Sequence, residues 1–195
     1  MKNIREICMQ CLGCNAIITK GKFKDFYGQD FPYDEYKKEM SALYHQRVDE
    51  GQLRLKPGVM ELLDYLKSMQ LDENGGRTYV LAVASSTREA VIRKELALAG
   101  ILDRFEVIVA GDKVERSKPE PDIFLLTAEK LGVEPSHCVV LEDSYNGIRA
   151  AYRAGMHPIM IPDLIPADEE MMELAEYVFP SLHEVKKLLQ ESLQK

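Results

Sequence analysis

From about Leu53 onward the chain alternates short apolar runs with amphipathic stretches, and no other feature constrains its fold as strongly. The runs are Tyr79 to Ala84, Val107 to Ala110, Cys138 to Leu141 and Ile159 to Ile161. Each is nearly continuously apolar rather than alternating, the pattern of strands buried on both faces. The stretches between them carry helix signals. Pro57 opens a helix through Val59, Leu62, Leu63 and Leu66, and Asn74-Gly75-Gly76 marks a turn. Thr87 caps a helix across Ala90, Val91, Leu96 and Leu98, with Gly100 beyond its end. Pro121 starts a helix to Leu131, another runs from about Gly147 to Ala154, and a last one spans about Leu182 to Leu193. This order specifies an α/β fold: a mostly parallel sheet flanked by helices.

Residues 1–52 read differently and are expected to form a separate helical unit, leaving 53–195 as the α/β domain. One helix fits Asn3 to Leu12 and a second fits Tyr33 to Glu50, stopped by Gly51. Gly13 to Phe31 reads as an irregular connection, in which Ala16-Ile17-Ile18-Thr19 is a candidate short strand. Cys8, Cys11 and Cys14 allow two readings. Thiolates at this spacing can converge on a metal or an iron–sulfur cluster, but no nearby fourth ligand completes a site. On a helix, Ile4, Ile7, Cys8, Cys11 and Leu12 make an apolar stripe in which the thiols are small hydrophobes, and this reading is preferred. The aromatics Tyr27, Tyr33, Tyr36 and Tyr44 either line a substrate-facing surface or pack a core, with packing preferred. His45, His137, His157 and His183 form no pair at metal spacing.

Charge and composition exclude several function classes. Lys plus Arg total 25 against 32 Asp plus Glu, a formal net charge of −7, so no general positive field draws the chain to nucleic acid or an anionic membrane. No apolar run approaches the roughly 18 residues of a membrane span. The start lacks the apolar stretch of a signal peptide, and four cysteines make no disulfide framework, which together lead us to expect the cytoplasm.

In an open α/β sheet, ligands bind beyond the carboxyl ends of the strands, and right-handed crossovers bring those ends to one edge. The residues there form a chemically coherent set. Ser85, Ser86 and Thr87 follow the first strand; Gly111, Asp112 and then Lys118 follow the second; Glu142, Asp143 and Ser144 follow the third; Asp163 follows the fourth. Hydroxyls, helix-starting amides and a lysine suit a phosphate dianion, so Ser85, Ser86 and Lys118 are the candidate phosphate-binding residues. Glu142 and Asp143 offer hard oxygens of the kind Mg²⁺ takes, one or two at a time, while keeping water and phosphate in its shell. Singly, each is equally a helix cap or a solvated charge. Pro119 keeps Lys118 extended, so it either points across the strand ends or sits exposed in a rigid turn.

The stretches Val80-Leu81-Ala82-Val83-Ala84-Ser85-Ser86-Thr87, Gly111-Asp112 through Lys118-Pro119-Glu120-Pro121-Asp122-Ile123-Phe124, and Val139-Val140-Leu141-Glu142-Asp143-Ser144 with Asn146-Gly147-Ile148-Arg149-Ala150-Ala151 resemble the haloacid dehalogenase superfamily. Within it they are similar to the β-phosphoglucomutase-like phosphatases. The likeness extends from about Leu53 to Asp163 and covers three of the family's four motifs in order. It implies a Rossmann-like core, Mg²⁺-dependent phosphoryl transfer and a small phosphorylated metabolite as substrate, a sugar phosphate above all. It implies phosphate binding by Ser85, the motif lysine role for Lys118, and metal binding by Glu142 with Asp143. Residues 1–52 would be part of a helical cap.

The family's first motif, an Asp-x-Asp that supplies the nucleophile at the end of a central strand, has no counterpart here, because no Asp-x-Asp occurs in the sequence. The resemblance places that strand between those ending at Ser85 and Leu141. The chain is therefore expected to pair these two strands directly, to recruit a substitute such as Ala16 to Thr19, or to be an unstable fragment. The preferred explanation is that Met1 is internal to a longer enzyme. The rival is a non-catalytic protein that binds phosphate or Mg²⁺.

Overall fold

The computed structural model describes residues 3–52, 54–69 and 79–192. The turn at Asn74-Gly75-Gly76, the boundary at Leu53 and the helix end at Leu193 lie outside the described residues. Three helices come first: α1 (Ile4–Gln10), α2 (Ala16–Tyr27) and α3 (Tyr33–Asp49). The second corrects the expectation for its segment. Ala16-Ile17-Ile18-Thr19 is β-branched enough to read as a strand, but the Asn15 side chain accepts the amides of Ile17 and Ile18 at 3.0 and 2.9 Å. That cap satisfies two donors which otherwise have no helical partner, and the helix propagates from it. Phe23 of α2 then packs against Tyr27, Phe31, Tyr33 and Tyr36, with Ile7 of α1 completing a core of its own for this unit. The tyrosines Tyr27, Tyr33 and Tyr36 thus belong to packing, while Tyr44 reaches out to Glu95 at 2.8 Å. The cysteine stripe is only partly right. Ile7 and Cys11 face the core, but Cys8 is exposed, since it lies on the next face of the helix.

The α/β unit follows as α4 (Val59–Ser68), β1 (Ala82–Ser85), α5 (Glu89–Leu98), β2 (Val107–Ala110), α6 (Asp122–Leu131), β3 (Val139–Glu142), α7 (Tyr145–Arg153), β4 (His157–Met160), α8 (Glu169–Leu174), β5 (Tyr177–Val178) and α9 (Leu182–Ser192). The four strands foreseen from apolar runs are present. The first is shorter than expected, starting at Ala82. All pairings are parallel: Ala82 opposite Val107, Val139 opposite His157, and Ile159 opposite Tyr177. No described helix is long and apolar enough to cross a membrane.

Among the described residues the sheet is in two pieces, β1–β2 and β3–β4–β5. The inner strands β1 and β3 do not pair directly, and Ala16 to Thr19, being helical, is no substitute. Val139 and Leu141 of β3 consequently stand 52% and 39% exposed, an unusual state for apolar residues of a parallel strand. The two pieces are joined instead by packing. Val109 of β2, Val140 of β3, Ile123, Phe124 and Ala128 of α6, and Ala150, Ala151 and Ala154 of α7 share one buried cluster. On the other face, α4 packs against α9 through Leu62, Leu66 and Val185 over Ile159 and Ile161.

Candidate active site

Carboxyl ends of β1 and β3 open onto a cavity of about 300 Å³ lined by Leu12, Gly13, Cys14, Ser85, Ser86, Thr87, Lys118, Glu142, Asp143, Ser144 and Leu164. All five residues singled out from the sequence, Ser85, Ser86, Lys118, Glu142 and Asp143, therefore meet at one place. Asp112, also considered, is not among the lining residues.

Lys118 is the centre of the floor. It is only 4% exposed, which settles the choice between a buried lysine and a surface turn. Its ammonium pairs with Glu142 Oε1, donates to the Ala84 carbonyl at 3.3 Å, and lies 4.6 Å over the Phe124 ring. One cation thus ties the end of β1 to the end of β3 across the place where the sheet is divided. A buried ammonium is tolerable only with such partners.

Glu142 is equally committed. While Oε1 faces Lys118, Oε2 accepts the amides of Asp143 and Ser144 at 2.9 and 3.0 Å and the Ser144 hydroxyl at 2.9 Å. Burial works against its charge, yet Lys118 and the bonds from Ser144 hold its pKa below the ordinary carboxylate range. Ser144 also caps α7 by accepting the Gly147 amide at 3.1 Å. Gly147 is required there: a Cβ at this position would stand 2.0 Å from Glu142 Cδ. The helix accordingly starts two residues earlier than the sequence suggested, at Tyr145.

Ser85 lies on the opposite wall, its hydroxyl accepting the Thr87 amide at 3.2 Å. Thr87 does not take the capping role expected of it: α5 begins at Glu89, with Arg88 at the cap position and no side-chain cap hydrogen bond. Ser86 donates to the Gly13 carbonyl at 3.1 Å. This contact belongs to a roof formed by Leu12 to Cys14, residues that sequence reasoning did not place at the site. The turn after α1 lies over the cavity, with Asn146 Nδ2 donating to the Leu12 carbonyl at 3.1 Å and approaching Cys14 Sγ at 3.5 Å. Gly13 takes φ of +73°, and a Cβ there would come within 2.7 Å of Ser144 Oγ. The Gly13 in the sequence was the available signal.

Asp143 marks the rim. Its side chain is 47% exposed, and Oδ2 lies 3.0 Å from Lys56 Nζ, which is also 3.4 Å from Asp163 Oδ2. Lys56 carries no sequence signal of its own, since its neighbours announce only the start of a helix.

Residues 15–155 match the family described as haloacid dehalogenase-like hydrolase. Among curated proteins, the chain is 38% identical over 114 residues to a phosphorylated carbohydrates phosphatase of Thermotoga maritima, covering 58% of this chain and 49% of that one. It is 40% identical over 100 residues to the fructose-1-phosphate phosphatase YqaB of Escherichia coli, covering 51% and 50%. Among solved structures, CbbY from Rhodobacter sphaeroides in complex with phosphate superposes with a TM-score of 0.73 at 27% identity, covering 94% of this chain and 80% of that one. The chain spans about half the length of these two curated relatives. With the parallel α/β core and a match over most of its length, the chain belongs to the haloacid dehalogenase-like hydrolases.

Proposed function

We propose that this chain is the phosphate-binding part of a Mg²⁺-dependent phosphatase or phosphomutase acting on a small phosphorylated metabolite, a sugar phosphate in particular. The observation that carries this reading is the buried Lys118 on the floor of a small polar cavity that Ser85, at the end of β1, also lines. In such a site Lys118 meets the negative charge of a phosphoryl group, Ser85 donates a hydroxyl to it, and Glu142 fixes the lysine's position. The names of the two curated relatives, both sugar-phosphate phosphatases, support the substrate class. Residues 1–52 act as part of a cap, consistent with the turn of Leu12 to Cys14 lying over the cavity.

The acids suit a hard cation in unequal degree. Asp143 is open apart from one contact to Lys56, whereas Glu142 joins a coordination shell only by giving up bonds to Lys118 or to the turn. Mg²⁺ bound by Asp143, with Glu142 behind it, supplies charge neutralisation for the phosphoryl oxygens. The nucleophile is a separate matter. Glu142 and Asp143 cannot be both metal acids and the missing Asp-x-Asp pair. The open edges of β1 and β3 support the reading that a further strand bearing the nucleophile belongs between them in a longer enzyme.

The test is phosphate binding and turnover measured on the same preparation. Inorganic phosphate should bind this chain, with Lys118→Ala removing the binding, and a form extended at its amino end should hydrolyse p-nitrophenyl phosphate. An extended form that binds phosphate without turnover would favour the second reading, a non-catalytic binder, which the absence of Asp-x-Asp in the sequence also supports. Failure of Lys118→Ala to weaken phosphate binding would defeat the site assignment.

A further inference from the structure

Lys56 lies in the linker that leads from the helical unit into α4, and its root is held firmly. The Pro57 carbonyl accepts the Leu182 amide at 3.2 Å, and Gly58 packs so closely on Leu182 and His183 that a Cβ there would stand 2.5 Å from the His183 amide nitrogen. From this fixed base the side chain delivers its ammonium to the cavity rim, between Asp143, just after β3, and Asp163, just after β4. Three segments far apart in sequence meet there, and one of them is the only covalent path between the helical unit and the α/β unit. The contact is also exposed enough to exchange: Lys56 is 35% exposed and the two acids about half exposed. Exposed pairs of this kind are weak.

We infer that Lys56 is a tethered cation which a divalent metal ion at Asp143 displaces, so that metal occupancy releases the linker from the rim. This rests on the reading of Asp143 as a cation-binding acid. The physical reason is competition for one carboxylate. Asp143 Oδ2 is 3.0 Å from the ammonium. A Mg²⁺ ion drawing the same carboxylate into its shell at about 2.1 Å repels a positive charge held that close. When the ammonium leaves, the linker loses this rim anchor and keeps the backbone contact at Pro57 and the packing of Gly58. The helical unit that roofs the cavity then gains freedom at the same moment as the site gains its metal.

The full chain is titrated with MgCl₂ by calorimetry, with amide hydrogen exchange followed over residues 54–60. Without metal, Lys56→Met should speed linker exchange and Lys56→Arg should preserve the parent's rate. Saturating Mg²⁺ should bring the parent's linker to the rate of Lys56→Met and leave that variant's rate unchanged. Lys56→Met should also bind Mg²⁺ roughly three- to tenfold more tightly, the size expected for removing one or two exposed competing pairs. Mg²⁺ binding to the parent with no change in linker exchange, or equal affinity in Lys56→Met, would overturn the displacement and leave Asp143 as a metal acid. No Mg²⁺ binding by either protein would overturn both.

Discussion

The floor and the rim of the cavity each hold a lysine against carboxylates, and the two pairs are built on opposite terms. The side chains of Lys118 and Glu142 are 5% and 11% exposed, and the second oxygen of the acid accepts three further hydrogen bonds. Lys56, Asp143 and Asp163 are 35%, 47% and 54% exposed. In the first pair, water cannot replace a lost partner, so the arrangement is all or nothing. In the second, water stands ready, and the contact can form and dissolve without threatening the fold. The phosphate-binding role proposed for Lys118 requires the former because its position must not vary, whereas the exchange inferred for Lys56 requires the latter.

The strongest way to break this contrast is Lys118→Ala, which leaves the largely buried Glu142 carboxylate without its cation. Losing one partner of a buried pair costs about 3–5 kcal/mol, and the urea midpoint should fall accordingly. Lys118→Met with Glu142→Gln should recover much of that loss, since the charge is then removed from both sides. A double variant no more stable than the single one would show that the hydrogen bonds of Glu142, not the ion pair, carry the floor. Gly147→Ala probes the same residue by shape: its Cβ must push the Glu142 carboxyl aside, so it should weaken both stability and phosphate binding, read by melting with and without inorganic phosphate.

Acid sharpens the comparison further. Glu142 titrates below its ordinary range in the folded chain, so its contribution to stability is complete above its unfolded pKa and is lost as pH falls through the folded value. Stability followed from pH 7 downward should therefore hold until the ordinary carboxylate range, near 4.5, and decline below it. In Lys118→Met, burial is unopposed by the ammonium and pushes the same carboxyl up. The sign then reverses: protonation stabilises that variant, and its melting temperature should rise on acidification before the general acid transition. Parallel curves for the two proteins would mean that Lys118 does not govern Glu142.

How much of this was legible in the sequence follows from the range over which each interaction acts. The four main strands were readable because parallel strands buried on both faces are continuous apolar runs. The convergence of Ser85, Ser86, Lys118, Glu142 and Asp143 on one cavity was readable because fold rules place strand ends at one edge. The helix α2 was misread since Ile17-Ile18-Thr19 carries a strand-like local signal, while Asn15, two residues upstream, decides the outcome through two hydrogen bonds. Asn15→Ala should accordingly cost about 1 kcal/mol and fray α2, visible as faster amide exchange at Ile17 and Ile18. β5, of two residues, is too short to carry a pattern. Lys56 was invisible for another reason: its partner Asp143 lies 87 residues away, and nothing local distinguishes it from any solvated lysine.

The smallest expected effect tests the rim directly. Asp163→Asn removes one of the two acids from Lys56 but leaves Asp143 at 3.0 Å, so folding stability should change by less than about 1 kcal/mol. Salt separates the two regions where mutation alone does not. At 1 M ionic strength the screening length falls to about 3 Å, so the exposed pairs of Lys56 are largely silenced while the buried pair of Lys118 is not. The stability difference between parent and Asp163→Asn should therefore vanish in 1 M NaCl, and that between parent and Lys118→Ala should persist. If the Asp163→Asn difference survives high salt, the rim is held as the floor is, by a contact that water cannot replace, and Lys56 is then no exchangeable cation.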